Sequence, residues 1–211
     1  MLALAGEWRR ILVGIIKGKY VVITPFRLED ALKMTEWGFH ENPLFSDYNF
    51  PLVSYESISK WYNRKTFGLN KKYFAIYNKE NKLIGYLGIK NIKRILGQST
   101  LGIVFDPNYI NKGYGTDALG TFLGYYFNDL NMKCLYLEVA KFNKRAIKVY
   151  EKTGFVIIDE YLMDYHDQYI DLNNPYFQQE RSAFVINRNK IYNYIYKMKI
   201  DKDIYDKLDV F

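Results

Sequence analysis

Two glycines one residue apart, Gly113 and Gly115, stand where an apolar run ending at Phe105 gives way to a segment with helical spacing. Asn111 and Lys112 precede them, Tyr114 lies between, and Thr116 follows. A helix opens with N–H groups that lack intrahelical partners, and its dipole favours an anion there. Glycines remove the Cβ atoms that would hold a phosphate off the backbone, while Lys112 brings a mobile positive charge and Thr116 a hydroxyl. The chemistry this suits is the grip of a diphosphate. The same spacing also suits a tight turn that binds nothing. Two familiar phosphate patterns are missing: there is no G-x-x-x-x-G-K-S/T run, and a G-x-G-x-x-G series from Gly113 would need glycine where Ala118 stands. Neither a P-loop nucleotidase nor a nicotinamide enzyme is indicated.

A second constellation lies downstream. Asn143 stands at a strand-to-helix junction, where asparagine suits an N-cap. Tyr150 follows seven residues on, about two helical turns, and projects from the same face. Glu138 sits on the preceding strand, on the face opposite Leu137 and Val139. A phenol and a carboxylate are proton-transfer groups. They are equally a core tyrosine and a solvated glutamate. One cysteine, Cys134, and two histidines, His40 and His166, exclude a disulfide framework and argue against a metal site.

The elements that must position these residues follow from patterning. The chain has 211 residues, 49% apolar and 25% charged, which is the composition of a folded globular chain of one domain. Strands are expected at Tyr20–Thr24, Tyr73–Tyr77, Leu83–Ile92 and Ser99–Phe105, the last three as an antiparallel meander because their links are short. Helices are expected at Leu28–Trp37, from an N-cap at Ser54, over Gly113–Asp129 with an apolar stripe through Leu119, Phe122 and Tyr126, and from Asn143 to a stop at Gly154. Strands Cys134–Ala140, Phe155–Ile158 and Ala183–Ile186 complete the set. No Gly/Ser linker or repeat interrupts it.

The ends stand apart. Residues 1–19 read as an N-terminal extension, either a short docked helix or a dispensable upstream start. Arg9 and Arg10 break its apolar run, so it is not a secretory signal, and a cytoplasmic protein is expected. Residues 187–211, rich in Tyr, Ile and Lys without Gly or Pro, are expected as a helical C-terminal extension. The net charge of +7 is scattered, without a run that would mark a nucleic-acid tail, and no apolar stretch is long enough to span a membrane.

The segment D-P-N-Y-I-N-K-G-Y-G-T, Asp106 to Thr116, resembles the diphosphate-binding region of the GNAT N-acetyltransferase superfamily. Ile110 stands where that family usually has Gln or Arg, so one side-chain contact is missing. A second segment, L-E-V-A-K-F-N-K-R-A-I-K-V-Y-E-K-T-G-F from Leu137 to Phe155, resembles the family's second cofactor region. The order and spacing of the two also match. The resemblance implies an α/β (α+β) fold: a mixed, mostly antiparallel sheet of about six or seven strands with splayed central strands and about four or five helices. It assigns residues 20–186 to one such domain.

The resemblance further implies an acetyl-CoA-dependent N-acetyltransferase acting by direct transfer to a primary amine. It places the cofactor against Ile103, Val104, Phe105, Asn111, Lys112, Gly113, Tyr114, Gly115, Thr116, Asn143, Ala146 and Tyr150. Tyr150 would give a proton to the leaving thiolate, and Glu138 or a water chain would take one from the amine. A main-chain N–H near Phe105 would meet the developing oxyanion. The stretch Val21–Trp37 is similar to the branch that acetylates ribosomal-protein N-termini, which also holds polyamine, antibiotic and sugar-amine enzymes. The acceptor is therefore a protein N-terminus or a small amine. Its walls are expected at residues 36–62, with Trp37, Phe39, Phe45, Tyr48, Trp61 and Tyr62 at the mouth or in the core. The second wall is expected at residues 161–180, where Asp164, Asp167, Asp171 and Glu180 are either solvated or a cradle for a cationic amine. A monomer or homodimer without membrane or nucleic-acid partner is expected. The competing reading is a catalytically silent acyl-CoA-binding regulatory domain.

Overall fold

A computed structural model of the chain describes residues 14–208. Most of the segment expected as an N-terminal extension, residues 1–13, lies outside the described residues. Among the described residues nine strands form one sheet in the order β1-β2-β3-β4-β5-β6-β9-β7, with β8 also paired to β9. The chain-order strands are β1 (Ile16–Lys17), β2 (Val21–Pro25), β3 (Lys72–Asn78), β4 (Leu83–Lys93), β5 (Gln98–Phe105), β6 (Cys134–Ala140), β7 (Val156–Asp164), β8 (Phe184–Asn187) and β9 (Lys190–Asp201). Among the described residues the α-helices are α1 (Leu28–Lys33), α2 (Tyr55–Thr66), α3 (Tyr114–Gly124), α4 (Lys144–Lys152), α5 (Pro175–Gln179) and α6 (Lys202–Tyr205). None of them is long and apolar enough to cross a membrane.

β3 to β5 form the expected antiparallel meander, β2 extends it by pairing antiparallel with β3, and Ser54 caps α2, its hydroxyl accepting the N–H of Ser57 at 3.2 Å. The helix expected up to Trp37 is shorter: α1 ends at Lys33 and a 3-10 turn takes Met34–Glu36. The region between Asn42 and Val53 carries a 3-10 helix at Pro43–Tyr48, opened by Pro43 and capped by Asn42. Beyond α3, a π-helical turn spans Tyr125–Asp129.

The C-terminal segment corrects the sequence reading. Residues 190–201 are a strand, not an added helix, and β9 lies inside the sheet between β6 and β7. Its Tyr-Ile-Lys alternation has period two. Ile191, Asn193 and Ile195 are buried on one face, and Met198 and Ile200 on the other. Among the described residues only the four-residue α6 follows.

The sheet has two covered faces. On one, which we call the back, α3 and the π turn pack Leu119, Phe122, Tyr126 and Phe127 against Leu87, Ile89, Leu101 and Leu137. On the front, α1 and α2 pack Ala31, Ile58 and Trp61 against Ala75, Tyr86 and Val104. A third cluster joins Leu44 of the 3-10 helix to Phe142, Phe177, Phe184 and Ile195. The start of α3 is tied to the chain entering β2: the Asp117 carboxylate accepts the N–H groups of Lys19, Tyr20 and Val21 at 3.0, 2.7 and 3.0 Å.

One pairing opens the sheet. β5 and β6 are parallel and matched only at Gln98–Cys134, Ser99–Leu135 and Thr100–Tyr136. β5 then continues to Phe105 beside β4, and β6 to Ala140 beside β9, so the two strands fork. Buried Tyr126 pins the closed end. Its hydroxyl donates to the Cys134 carbonyl at 2.7 Å and lies 2.9 Å from the Ser99 hydroxyl.

Candidate active site

The turn between β5 and α3 is shaped by short-range hydrogen bonds. The Asp106 carboxylate accepts the N–H of Asn108 and of Gly38, both at 3.0 Å, and Pro107–Tyr109 make a 3-10 turn. Asn111 (φ 61°) and Gly113 (φ 82°) are both left-handed, a conformation open to Asn and Gly. A Cβ on Gly113 would meet nothing within 4 Å, and one on Gly115 would meet only the Phe105 ring at 3.7 Å. Both glycines therefore face open space at the N-terminus of α3. That geometry fits a diphosphate held by backbone N–H groups.

The space is a cavity of about 440 Å³ that passes through the fork. Its back half is lined by Ile103 and Phe105 of β5, Val139 of β6, and Asn143, Ala146 and Tyr150 at and along α4. Asn111, Gly113, Gly115 and Thr116 close its phosphate end. Its front half is lined by Tyr86, Gly88, Gly102, Val104 and Glu138. Alternation along each strand accounts for the division. Val104 and Tyr86 pair across β4 and β5 and pack with the front cluster, whereas Ile103 and Phe105 pack with the back one.

Two residues expected on the cofactor turn are elsewhere. The Lys112 ammonium donates to the Asn108 carbonyl at 2.9 Å and lies 5.1 Å from the centre of the Tyr109 ring, over a neighbouring groove. Tyr114 packs on Tyr109, with ring centres 6.2 Å apart. Lys112 sits between left-handed Asn111 and Gly113, and the chain there turns its side chain back over Tyr109 and away from the cavity.

Asn143 is buried and caps α4, its side-chain oxygen accepting the Ala146 N–H at 3.2 Å. Its side chain also bonds to Tyr48. Tyr150, two turns on, is buried with it. Burial, and then the neighbouring Tyr48, push the Tyr150 phenol well above its ordinary value, so it carries its proton throughout the working pH range. Glu138 reaches the cavity from the front and is held by the Tyr161 hydroxyl, which burial and this bond together push up to about 12.

The structure adds residues that the sequence reading did not place in the site. His40 comes from the segment before the 3-10 helix, Arg145 from the first turn of α4, and Lys65 and Lys90 from α2 and β4. Burial and then Arg145 depress the His40 imidazole, which favours its neutral form. The two strand glycines, Gly88 and Gly102, were a usable signal, because glycine inside a strand marks a close approach or an open space.

Of the aromatic residues expected at the mouth, only Tyr48 lines the cavity. Trp37, Trp61 and Tyr62 belong to the front core, Phe45 packs on Phe142, and Phe39 is exposed. The acidic stretch is not a cavity wall either. Asp164 pairs with Lys190 and Glu180 with Lys144, while Asp167 and Asp171 accept the N–H groups of Tyr169 and Asn173 in local turns.

A protein-family model described as "Acetyltransferase (GNAT) domain" matches residues 21–156. Spermidine N(1)-acetyltransferase of Vibrio cholerae serotype O1 is 26% identical over 135 residues, covering 62% of this chain and 77% of that protein. The Escherichia coli K12 enzyme of the same name is 23% identical over 145 residues, covering 69% and 77%. Among solved structures, spermidine N-acetyltransferase from Vibrio cholerae in complex with CoA and spermine superposes with a TM-score of 0.64 at 20% identity, covering 89% of this chain and 99% of that one.

Proposed function

The chain belongs to the GNAT acetyltransferase family, an N-acetyltransferase that draws its acetyl group from acetyl-CoA, and we propose that it acetylates the primary amine of a small molecule in the cavity through the β5–β6 fork. The observation that carries this reading is the placement of Gly113, Gly115, Asn143 and Tyr150 on one back-face cavity that opens through the sheet to Glu138. The spermidine acetyltransferases among its relatives shift the weight from a protein N-terminus to a small amine.

In this reading the N–H groups opening α3 hold the diphosphate, and the open edge of β5 beyond Thr100 offers main-chain donors to a carbonyl oxygen. The acceptor enters from the front as an ammonium, and Glu138, directly or through water, takes one proton to free the lone pair. The nitrogen bonds to the acetyl carbon, the carbon–sulfur bond breaks, the Tyr150 hydroxyl gives its proton to the sulfur, and the second proton leaving the nitrogen restores the phenol. The buried phenol keeps its proton until the thiolate leaves, and so has one to give at that moment. We assign residues 20–201 to the transferase domain, because β9 completes the sheet that carries Glu138.

Tyr150→Phe tests the assignment. Turnover should fall roughly 10²-fold with little change in acetyl-CoA affinity measured by calorimetry. Turnover equal to wild type would remove Tyr150 from the chemistry. Acetyl-CoA binding without CoA release across an amine panel would favour the silent regulatory reading.

A further inference from the structure

The front half of the cavity carries charges that the acetyl donor does not need. Lys65 and Lys90 line it from α2 and β4. The turn that would hold the diphosphate lies at the other end of β5, beyond Phe105, and opens onto the back. The pairing of β4 with β5 fixes the position of Lys90. Tyr86, Gly88 and Lys90 face Val104, Gly102 and Thr100 in turn, so Lys90 follows Gly88 on the front side of the sheet.

Among the described residues no carboxylate lies within ion-pair distance of either lysine. Lys65 is half-buried, with its ammonium 5.5 Å from the Trp61 ring centre and 5.8 Å from that of Tyr73. Burial, then the charge of Lys90, Arg64 and Lys71, depress it. Arg145 adds a further cation to the lining, and Glu138 is the one carboxylate there among the described residues. The acidic stretch at residues 164–180 is engaged with lysines and its own backbone, as above.

We propose that the acceptor is a small primary amine whose other end bears a carboxylate or phosphate, held by Lys65 and Lys90 over the glycine floor at Gly88 and Gly102. This rests on the transferase reading above. The anion neutralises two cations that otherwise repel each other, and it orients the amine toward Glu138 and the fork. A polyamine would instead bring further positive charge to a wall that already carries it.

The test is CoA release with amines of matched reach, 6-aminohexanoate, 4-aminobutyl phosphate and hexylamine, and with spermidine. We expect kcat/KM for the carboxylate or the phosphate to exceed that for hexylamine by on the order of tenfold or more, and whichever anion is favoured identifies the source. In Lys90→Gln and Lys65→Met, checked for intact acetyl-CoA binding by calorimetry, the ratio of anionic to neutral acceptor should fall toward one. Lys90 is exposed, so its variant folds even if Lys65→Met does not. A preference for spermidine, or an anion preference unchanged in Lys90→Gln, would overturn the proposal and leave the transferase reading standing. Acetyl-CoA binding without release for any amine would overturn both.

Discussion

Gly88 and Gly102 face each other across β4 and β5, and the absence of both side chains gives the front cavity its floor. Their surroundings differ. A Cβ on Gly102 would meet nothing within 4 Å, whereas one on Gly88 would overlap the Tyr73 ring. Gly102→Leu should therefore fold normally and raise the acceptor KM roughly tenfold or more, while calorimetry finds acetyl-CoA affinity unchanged. Gly88→Ala should instead lose about 1–3 kcal/mol of stability in urea titration, because the Tyr73 ring must move.

Gly115→Glu addresses the other end. The neighbouring Phe105 ring leaves room for a Cβ at ordinary contact distance, so the fold should persist. The side chain would occupy the phosphate turn with a negative charge. Calorimetric heat with acetyl-CoA should vanish while the thermal midpoint stays within a few degrees of wild type.

Tyr126→Phe removes the hydroxyl that joins Ser99 of β5 to the Cys134 carbonyl of β6. Both partners are buried and would lose a hydrogen bond. We expect a loss of about 1–3 kcal/mol in urea unfolding. A rise in KM for acetyl-CoA should accompany it, since this bond closes the narrow end of the fork.

The pH dependence of stability has a defined sign at His40. Its folded value is depressed below the 6.5 of a free imidazole, by burial and then by Arg145, so the unfolded chain binds more protons in the window below 6.5. Stability should fall as pH drops through that window. His40→Gln should flatten this slope, read as the difference between thermal midpoints at about pH 7.5 and pH 5. Parallel curves for the two proteins would contradict it.

What could be read from the chain was what local chemistry determines. The Ser54 cap, the glycine turn, the Asn143 cap and the position of Tyr150 two turns later each depend on residues close in sequence. Lys65, Lys90 and His40 reach the cavity only because the front-face helices and the 3-10 segment fold over the meander, and no spacing encodes that contact. The strand at Lys190–Asp201 was missed for a different reason. Its tyrosines and lysines are amphipathic, so polar and apolar faces blur, and the apolar residues change face along the strand, Ile191 and Ile195 packing in one cluster and Met198 and Ile200 in another. Lys112 shows the reverse error: its residue type suited an anion, but the left-handed residues on either side set its direction.

Asp117 occupies the first turn of α3, where a negative charge would work against a bound diphosphate, yet its oxygens are committed to three N–H groups at the entrance of β2. That stretch of backbone thus acts as an electrostatic latch. While residues 19–21 stay docked, the acidic side chain is turned aside and its oxygens are held by their N–H groups. Were they to peel off, the same carboxylate would swing free as a competing anion at the door, and donor affinity would drop with every donor-binding residue intact.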